Sequence, residues 1–280
     1  MTGTVTLALA LRQLQAQGLN RLESQMLTLH ALGRAPDDRA WLLSHDDQPL
    51  DADTQRQLSA WAQRRLDGEP MAYIVGHKDF HALRLHVDAR VLDPRDDTET
   101  LVEWALALPM PARAQVLDLG TGSGAIALAL AKARPDWRLC ASDASPGALA
   151  VARHNASQLG LTVHWQEGDW LLPYVGQRFD LIVSNPPYIP DHDPHLAALR
   201  HEPPSALTSG PDGLRDLRAI IAQAPGHLNP GGWLLLEHGY DQAREVQGLM
   251  KQAGFESIDS RQDLAGVTRC SGGRWRPARF

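Results

Sequence analysis

Asn185-Pro186-Pro187-Tyr188 is the stretch of this 280-residue chain whose residue types point most directly to chemistry. It follows the apolar run Phe179-Asp180-Leu181-Ile182-Val183-Ser184. That run reads as a buried strand whose end leaves Asn185 at the carboxyl edge of a sheet, where open α/β sheets take their ligands. Two prolines remove two backbone donors and fix φ at both positions. Carbonyl oxygens then stand free in a rigid frame, with a carboxamide on one side and an aromatic ring on the other. Such a pocket suits a flat group carrying an NH2: acceptors take its two hydrogens and the ring covers its face. Holding both hydrogens in plane leaves nitrogen electron density aimed out of the plane at an electrophile, which is catalysis by positioning. A Pro-rich loop that only ends a strand would carry the same four letters. Other parts of the chain have to choose between the two.

A partner for that clamp is encoded upstream. Val116-Leu117-Asp118-Leu119 runs into Gly120-Thr121-Gly122-Ser123-Gly124, a strand entering a glycine turn and then a helix. Glycines allow a tight turn and a close approach of backbone to ligand. The spacing is G-x-G-x-G, with Gly124 one residue early for the dinucleotide fingerprint G-x-G-x-x-G. Cys140-Ala141-Ser142-Asp143 ends the next strand with an acid about 20 residues beyond the turn, where an acid meets ribose hydroxyls in this topology. Gly168-Asp169-Trp170 follows the third strand and offers a carboxylate for an exocyclic amine and an indole to cover a purine. Singly, Asp143 could be a helix N-cap and Trp170 a loop aromatic packed on the core. All three features fall at the ends of successive strands, which those separate accounts do not require. A ligand with an adenine and a ribose, and no need for a pyrophosphate cradle, fits best.

The elements that position these residues follow from periodicity. Up to about Gly68 the chain reads as a small helical bundle. Leu7, Leu11 and Leu14 share one face, and Leu22, Met26, Leu29 and Leu32 repeat the pattern. A third helix starts near Pro36 and runs through Trp41 and Leu42, and Asp53 caps a fourth containing Leu58, Trp61 and Leu66. Tyr73-Ile74-Val75-Gly76 and Leu83-Arg84-Leu85-His86-Val87 read as short strands of a connecting hairpin. From Pro94 onward, strands expected at 115–119, 137–142, 161–165, 179–184 and 232–237 alternate with helices at 125–133, 146–159, 214–224 and 241–253. Ile258 and Val267 fall in closing strands. Alternation of this kind predicts a mostly parallel, doubly wound sheet. Residues 190–213, rich in Pro, His and Asp, read as a long irregular insertion, and long loops are often functional.

Composition sets the bounds. A 43% hydrophobic, 21% charged chain can bury a sizeable core. The net charge of −6 works against sequence-independent binding to a phosphate backbone. Cys140 and Cys270 are far apart and outside any metal-ligand spacing, which suits a reducing compartment. Leu7 to Leu11 is too short for a signal peptide's apolar stretch and is broken by Arg12. These features predict a soluble cytoplasmic protein with no membrane and no direct nucleic-acid partner. His77, His81, His86, His192 and His195 match no strong zinc pattern, so no metal is expected. Glu237-His238 reads as a structural pair at a strand end. Arg261, Arg269, Arg274 and Arg276 read as a solvated basic tail.

Taken together, Asp118-Leu119-Gly120-Thr121-Gly122-Ser123-Gly124, Asp143, Gly168-Asp169-Trp170 and Asn185-Pro186-Pro187-Tyr188 resemble a class I S-adenosylmethionine-dependent methyltransferase. More narrowly, the chain resembles the release-factor glutamine N(5)-methyltransferases, the HemK/PrmC family. The likeness spans nearly the whole chain and includes Tyr73-Ile74-Val75-Gly76, Pro94-Arg95, Asp97-Thr98-Glu99, Glu202-Pro203 and Leu236-Glu237-His238-Gly239. It implies an α/β chain in three parts. These are a helical substrate-recognition domain at residues 1–70, a β-hairpin connector at 71–93 and a Rossmann-like, seven-stranded methyltransferase domain at 94–280. It implies that Gly120, Thr121, Gly122, Ser123 and Gly124 approach the methionine part of S-adenosylmethionine, that Asp143 takes the ribose hydroxyls and that Asp169 and Trp170 lie near the adenine. The catalytic motif would be Asn185, Pro186, Pro187 and Tyr188. Asn185, the Pro186 carbonyl and the Tyr188 ring would hold a glutamine amide, with Asn185 bordering the cofactor as well. The implied substrate is the Gly-Gly-Gln loop of a class I peptide chain release factor, and the product S-adenosylhomocysteine. The family usually reads Ile-Pro-Arg-Pro where this chain has Asp93-Pro94-Arg95-Asp96, two departures that bear on the rigidity of that loop.

Three rivals share part of this pattern. A methyltransferase acting on a nucleic-acid base uses the same amine-holding motif, but the acidic balance disfavours it. A methyltransferase acting on a ribosomal-protein glutamine differs only in substrate. A non-catalytic adaptor would not need intact glycine, acid and Asn-Pro-Pro-Tyr positions. The glycine spacing disfavours an NAD-dependent dehydrogenase.

Overall fold

The computed structural model describes residues 5–277. Contacts divide the chain into two units, Met1–Gly76 and His77–Phe280. Among the described residues the first holds five helices: α1 Leu7–Ala16, α2 Arg21–Ala31, α3 Arg39–Ser44, α4 Ala52–Leu66 and α5 Met71–Val75. Side-chain caps start three of them. Thr6 accepts from Leu9 N, Asn20 and Glu23 form a capping box, and Asp51 accepts from Thr54 N. The α4 cap is therefore Asp51 rather than Asp53, and α3 begins three residues after Pro36. Leu7, Leu14, Leu27, Leu29, Leu42 and Leu58 form the core of this unit.

Two sequence expectations give way here. Helix α2 buries Ser24, Leu27, Thr28 and Leu29, while Leu22 is left 45% exposed. The hydroxyls of Ser24 and Thr28 bond back to the carbonyls of Asn20 and Ser24, so small polar residues can face inward, and apolar periodicity cannot see them. Tyr73-Ile74-Val75 is not a strand but the end of α5, which follows Pro70 and is closed by Gly76 in the left-handed region.

The second unit begins with a two-stranded antiparallel hairpin, β1 His77–Phe80 and β2 Leu83–His86. There follow α6 Glu99–Ala107, β3 Gln115–Leu119, α7 Ala125–Ala133, β4 Arg138–Asp143, α8 Pro146–Leu159, β5 His164–Glu167, β6 Phe179–Ser184, α9 Arg215–His227, β7 Leu228–Glu237, α10 Ala243–Gln252, β8 Phe255–Gln262 and β9 Thr268–Trp275. The seven-stranded sheet runs β5-β4-β3-β6-β7-β9-β8, parallel through β7 and antiparallel at β9. The third sheet strand thus starts at His164, three residues later than expected, and Val267 precedes β9 instead of lying in it. Strands β3 and β6 are apolar on both faces because helices cover both sides. Leu117, Leu119, Ile182 and Leu236 pack in one layer with α9 and α10. Val116, Leu181 and Val183 pack in the other with α6, α7 and the hairpin residues Phe80, Leu83 and Leu85.

This topology decides where a site can form. Chain order reverses between β3 and β6, the switch point that opens a crevice at the carboxyl ends of a doubly wound sheet. The register makes the strands end level: Leu119 pairs with Ser142 and Ser184, and Ser184 with Leu236. Gly120, Asp143, Asn185 and Glu237 are the residues that immediately follow, so one edge receives all four.

Candidate active site

The turn after β3 is built on Asp118. Its Oδ2 accepts from Thr121 Oγ1 at 2.6 Å and from Ala127 N at 3.2 Å, while Oδ1 is buried without a partner. Complete burial pushes this carboxyl up to about 7. Gly120, Gly122 and Gly124 all adopt positive φ, of 65°, 56° and 85°. Thr121 and Ser123 face inward and are buried, and Gly124 packs on Leu128 and Ala152. Of the five residues of the turn, only Gly120 and Gly122 line the cleft in front of it. Nothing lies within 4 Å of the place a Cβ would take at Gly122, so a side chain there would use space that the backbone leaves to a ligand.

Asp143 ties the turn to β4. Its Oδ2 accepts from Gly122 N and its Oδ1 from Ser145 N, each at 2.9 Å. Burial raises its carboxyl despite these two bonds. It is not the cap of α8, because Ser145 accepts from Ala148 N and holds that position. Trp170, at φ 44°, lays its ring over Gly120, where an added Cβ would come within 3.2 Å of it. The ring therefore packs on the core and borders the cleft at once. Asp169 is exposed on the cleft's rim. The cleft encloses about 330 Å³, and Asn185 and Pro187 also line it. Arg90, Val91 and Leu92 also line it. Sequence reading missed them, since that stretch carries no glycine or acid pattern.

Asn185 has a second side. With Tyr188, Arg95, Leu92 and Leu207 it lines another cavity of about 280 Å³. Asn185 thus lines both clefts. Pro186 is buried beneath it and contributes to neither lining. The loop is held from several directions. Ser184 Oγ donates to Leu119 O at 2.7 Å, and Gln242 Nε2 donates to Tyr188 O at 3.0 Å while Gln242 Oε1 accepts from Gly239 N. Asn185 Nδ2 donates to Thr98 Oγ1 at 3.1 Å. Tyr188 donates its hydroxyl to Glu237 Oε1 at 3.3 Å. Burial, with the Glu237 charge alongside, raises the Tyr188 phenol and keeps it a donor. Burial also pushes Glu237 up to about 7.

The insertion at 190–213 is more ordered than its composition suggests. Two short 3-10 turns, Pro194–Leu199 and Pro204–Ala206, fold it back so that Ile189 bridges Thr208 beside the second cavity. Glu202, 4% exposed, accepts from Asp93 N at 3.1 Å and pairs with Arg95. This carboxylate anchors the Asp93–Asp96 loop from within, so the loop is held without the second proline of the family pattern. Asp96 turns outward to Lys78 at 2.7 Å. Asp93 keeps Oδ1 buried without a partner, and burial raises its carboxyl.

Two surface expectations change. Arg269 is not part of a solvated tail, for it bridges Asp263 at 2.8 Å and Asp97 at 2.9 Å. Glu237 and His238 part company: His238 is fully buried, with Nδ1 on Gly239 O and Nε2 on Ser271, while Glu237 turns toward Tyr188.

The chain matches two family models, the PrmC N-terminal domain over residues 6–76 and the methyltransferase small domain over residues 96–210. It is 48% identical to the release factor glutamine methyltransferase of Xylella fastidiosa strain Temecula1, over 95% of this chain and 97% of that protein. The enzyme of the same name from Bordetella pertussis is 50% identical over 91% of this chain and 95% of its own length. The chain belongs to the release factor glutamine methyltransferase family. Its fold is also that of more distant enzymes of this class. A T. thermophilus 16S rRNA methyltransferase, solved with AdoMet and guanosine, superposes with a TM-score of 0.50 at 19% identity, covering 71% of this chain and 50% of that one. Among the described residues of this family member, no helix is long and apolar enough to cross a membrane.

Proposed function

We propose that this protein transfers a methyl group from S-adenosylmethionine to the side-chain amide nitrogen of the glutamine in the Gly-Gly-Gln motif of class I peptide chain release factors. The observation that carries this reading is that Asn185 lines both clefts. The larger cleft suits the cofactor. Gly120 and Gly122 give it a floor without side chains, Asp143 presents a carboxylate at the ribose position, and Asp169 and Trp170 border the adenine end. Thr121, Ser123 and Gly124 act behind that floor by shaping the turn. The bound cofactor supplies an electrophilic methyl group on a sulfonium. The smaller cleft, walled by Tyr188 and Arg95, receives the acceptor side chain.

An amide nitrogen is a poor nucleophile because its lone pair is delocalised into its carbonyl. The chain's contribution is to hold and orient it. Asn185 Oδ1 accepts an amide hydrogen, Pro186 and Pro187 stiffen the loop, and the Tyr188 ring covers the face. As the nitrogen becomes positive, Asn185 Oδ1 binds it more strongly than it binds the neutral amide, so it lowers the barrier more than it raises ground-state affinity. The proton then leaves to water. The helical unit that ends at Gly76 serves to dock the release factor, the segment from His77 to Asp93 connects and the domain from Pro94 onward carries the transfer. The site of action is the cytoplasm, where translation ends.

The test is to incubate the protein with labelled S-adenosylmethionine and a purified class I release factor, with and without Gln→Ala in its Gly-Gly-Gln loop. Label should enter only the factor that keeps its glutamine. Label in the Gln→Ala factor, or in nucleic acid or a ribosomal protein instead, overturns the assignment.

A further inference from the structure

Pro186 and Pro187 have no amide hydrogen, so the loop after β6 has to be tied by groups to either side of them. Its near end is fixed at the last residue of β6, where Ser184 Oγ donates to Leu119 O at 2.7 Å. Its far end is held by a residue from another part of the chain. Gln242 Nε2 donates to Tyr188 O at 3.0 Å, and Gln242 Oε1 accepts from Gly239 N at 2.8 Å. A backbone carbonyl only accepts and a backbone N–H only donates. The Gln242 carboxamide therefore fits one way round, and it joins the loop after β6 to the loop after β7. The contact is closely enclosed. Gln242 is 8% exposed, and a Cβ at Gly213 would come within 2.9 Å of its Nε2.

Gln242 stands at the N-cap of α10, where a side chain would ordinarily accept from the first turn of its own helix. It makes no such bond. Helix capping therefore does not account for a polar residue here, whereas holding Tyr188 and Gly239 uses both ends of its amide. Tyr188 is also gripped at its tip, for its hydroxyl donates to Glu237 Oε1 at 3.3 Å. Ring tip and main chain are thus both held from the segment that ends β7 and leads into α10. Tyr188 and Asn185 line the same cavity. The two prolines between them leave little slack, so a shift of the Tyr188 carbonyl carries to Asn185.

We propose that Gln242 is a positioning residue for methyl transfer. By holding the Tyr188 carbonyl it sets where Asn185 and the Tyr188 ring meet the acceptor amide, although Gln242 itself lines neither cleft. This rests on the reading of Asn185 as the holder of the substrate amide, and it extends that reading to a residue of the β7–α10 connection.

The test uses the full chain, labelled S-adenosylmethionine and a purified class I release factor, below the melting range of every variant. Gln242→Met keeps the length of the side chain and removes both bonds. It should lower kcat about tenfold, the worth of a well-placed hydrogen bond, while the dissociation constant for S-adenosylmethionine stays within about twofold. Gln242→Glu separates the two bonds. A carboxylic acid can accept from Gly239 N and donate to Tyr188 O, whereas a carboxylate can only accept. As a ratio to the parent at each pH, the kcat of Gln242→Glu should be near parental in acid and fall about tenfold as the new carboxyl ionises. In an Asn185→Ala background, Gln242→Met should change kcat by less than about twofold, because residues acting as one unit are not additive. Parental kcat in Gln242→Met, a flat ratio for Gln242→Glu, or an equal loss in both backgrounds overturns the inference and leaves Asn185 in its role. A normal kcat for Asn185→Ala alone overturns instead the reading of Asn185 on which the inference rests.

Discussion

Asn185 works through its two ends. The NH2 end is spent on Thr98, which leaves the oxygen as the acceptor that an incoming amide can meet. Removing that oxygen should act on the transition state far more than on cofactor capture, because the glycine floor and Asp143 do not depend on it. Asn185→Ala is therefore expected to lower kcat about a hundredfold, by analogy with losing one oxyanion donor. The dissociation constant for S-adenosylmethionine, read by calorimetry, should stay within about threefold, since one neutral hydrogen bond is worth little net energy. Equal losses in both would remove Asn185 from the acceptor's cleft. Asn185, Asp143 and Gly120 were legible because each stands at the carboxyl end of a strand, and residue type plus position was enough. Thr98 and Glu237 were not. One sits in a helix-leading turn and the other beside a histidine that suggested a structural pair. Nothing local in the chain records that the first meets Asn185 and the second Tyr188.

Among elements, the loops between strand and helix carry the site, and their geometry rests on a few close approaches. Gly213, at φ 72°, ends the insertion where a Cβ would come within 2.2 Å of Tyr188 O and 2.9 Å of Gln242 Nε2. Gly213→Ala would strain that backbone and push on the carbonyl that Gln242 holds. The expected cost is about 2–4 kcal/mol of stability, seen as a lower midpoint in urea, with kcat reduced because the Tyr188 loop shifts. A variant as stable and active as the parent would show that the loop gives way freely. Periodicity located most of the strands and helices of the second unit to within a few residues. It failed at Tyr73-Ile74-Val75, where β-branched and aromatic letters sit between Pro70 and Gly76 and one helical turn is what fits. The insertion at 190–213 is irregular, as expected, but what orders it is the Ile189–Thr208 bridge and Glu202, contacts across the fold that composition cannot report.

At the scale of the whole molecule, two fully buried carboxyls, Asp118 and Glu237, bear on stability. Burial raises each to about 7, above the value it has in the unfolded chain. The folded state therefore binds their protons more tightly than the unfolded state does. Their contribution is fully present below about pH 4, the ordinary carboxylate range, and is lost as pH rises through about 7. Melting temperature should accordingly fall over that window by an amount these two groups explain. Asp118→Asn can still accept from Thr121 and Ala127, and it should flatten the decline in a series of thermal melts. An unchanged slope would mean that Asp118 does not titrate differently on folding. The sequence by itself determined the alternation of strands and helices, the glycine turn, the acid that ends β4 and the motif after β6, because these are written in neighbouring residues whose spacing follows backbone geometry. Only the tertiary structure decided that Thr121, Ser123 and Gly124 stand behind the cleft, that Glu202 holds the Asp93–Asp96 loop, that Arg269 bridges two acids and that Glu237 faces Tyr188. The reason is physical: burial and hydrogen bonding join residues far apart in the chain, and which of them meet depends on strand order and register rather than on any local pattern.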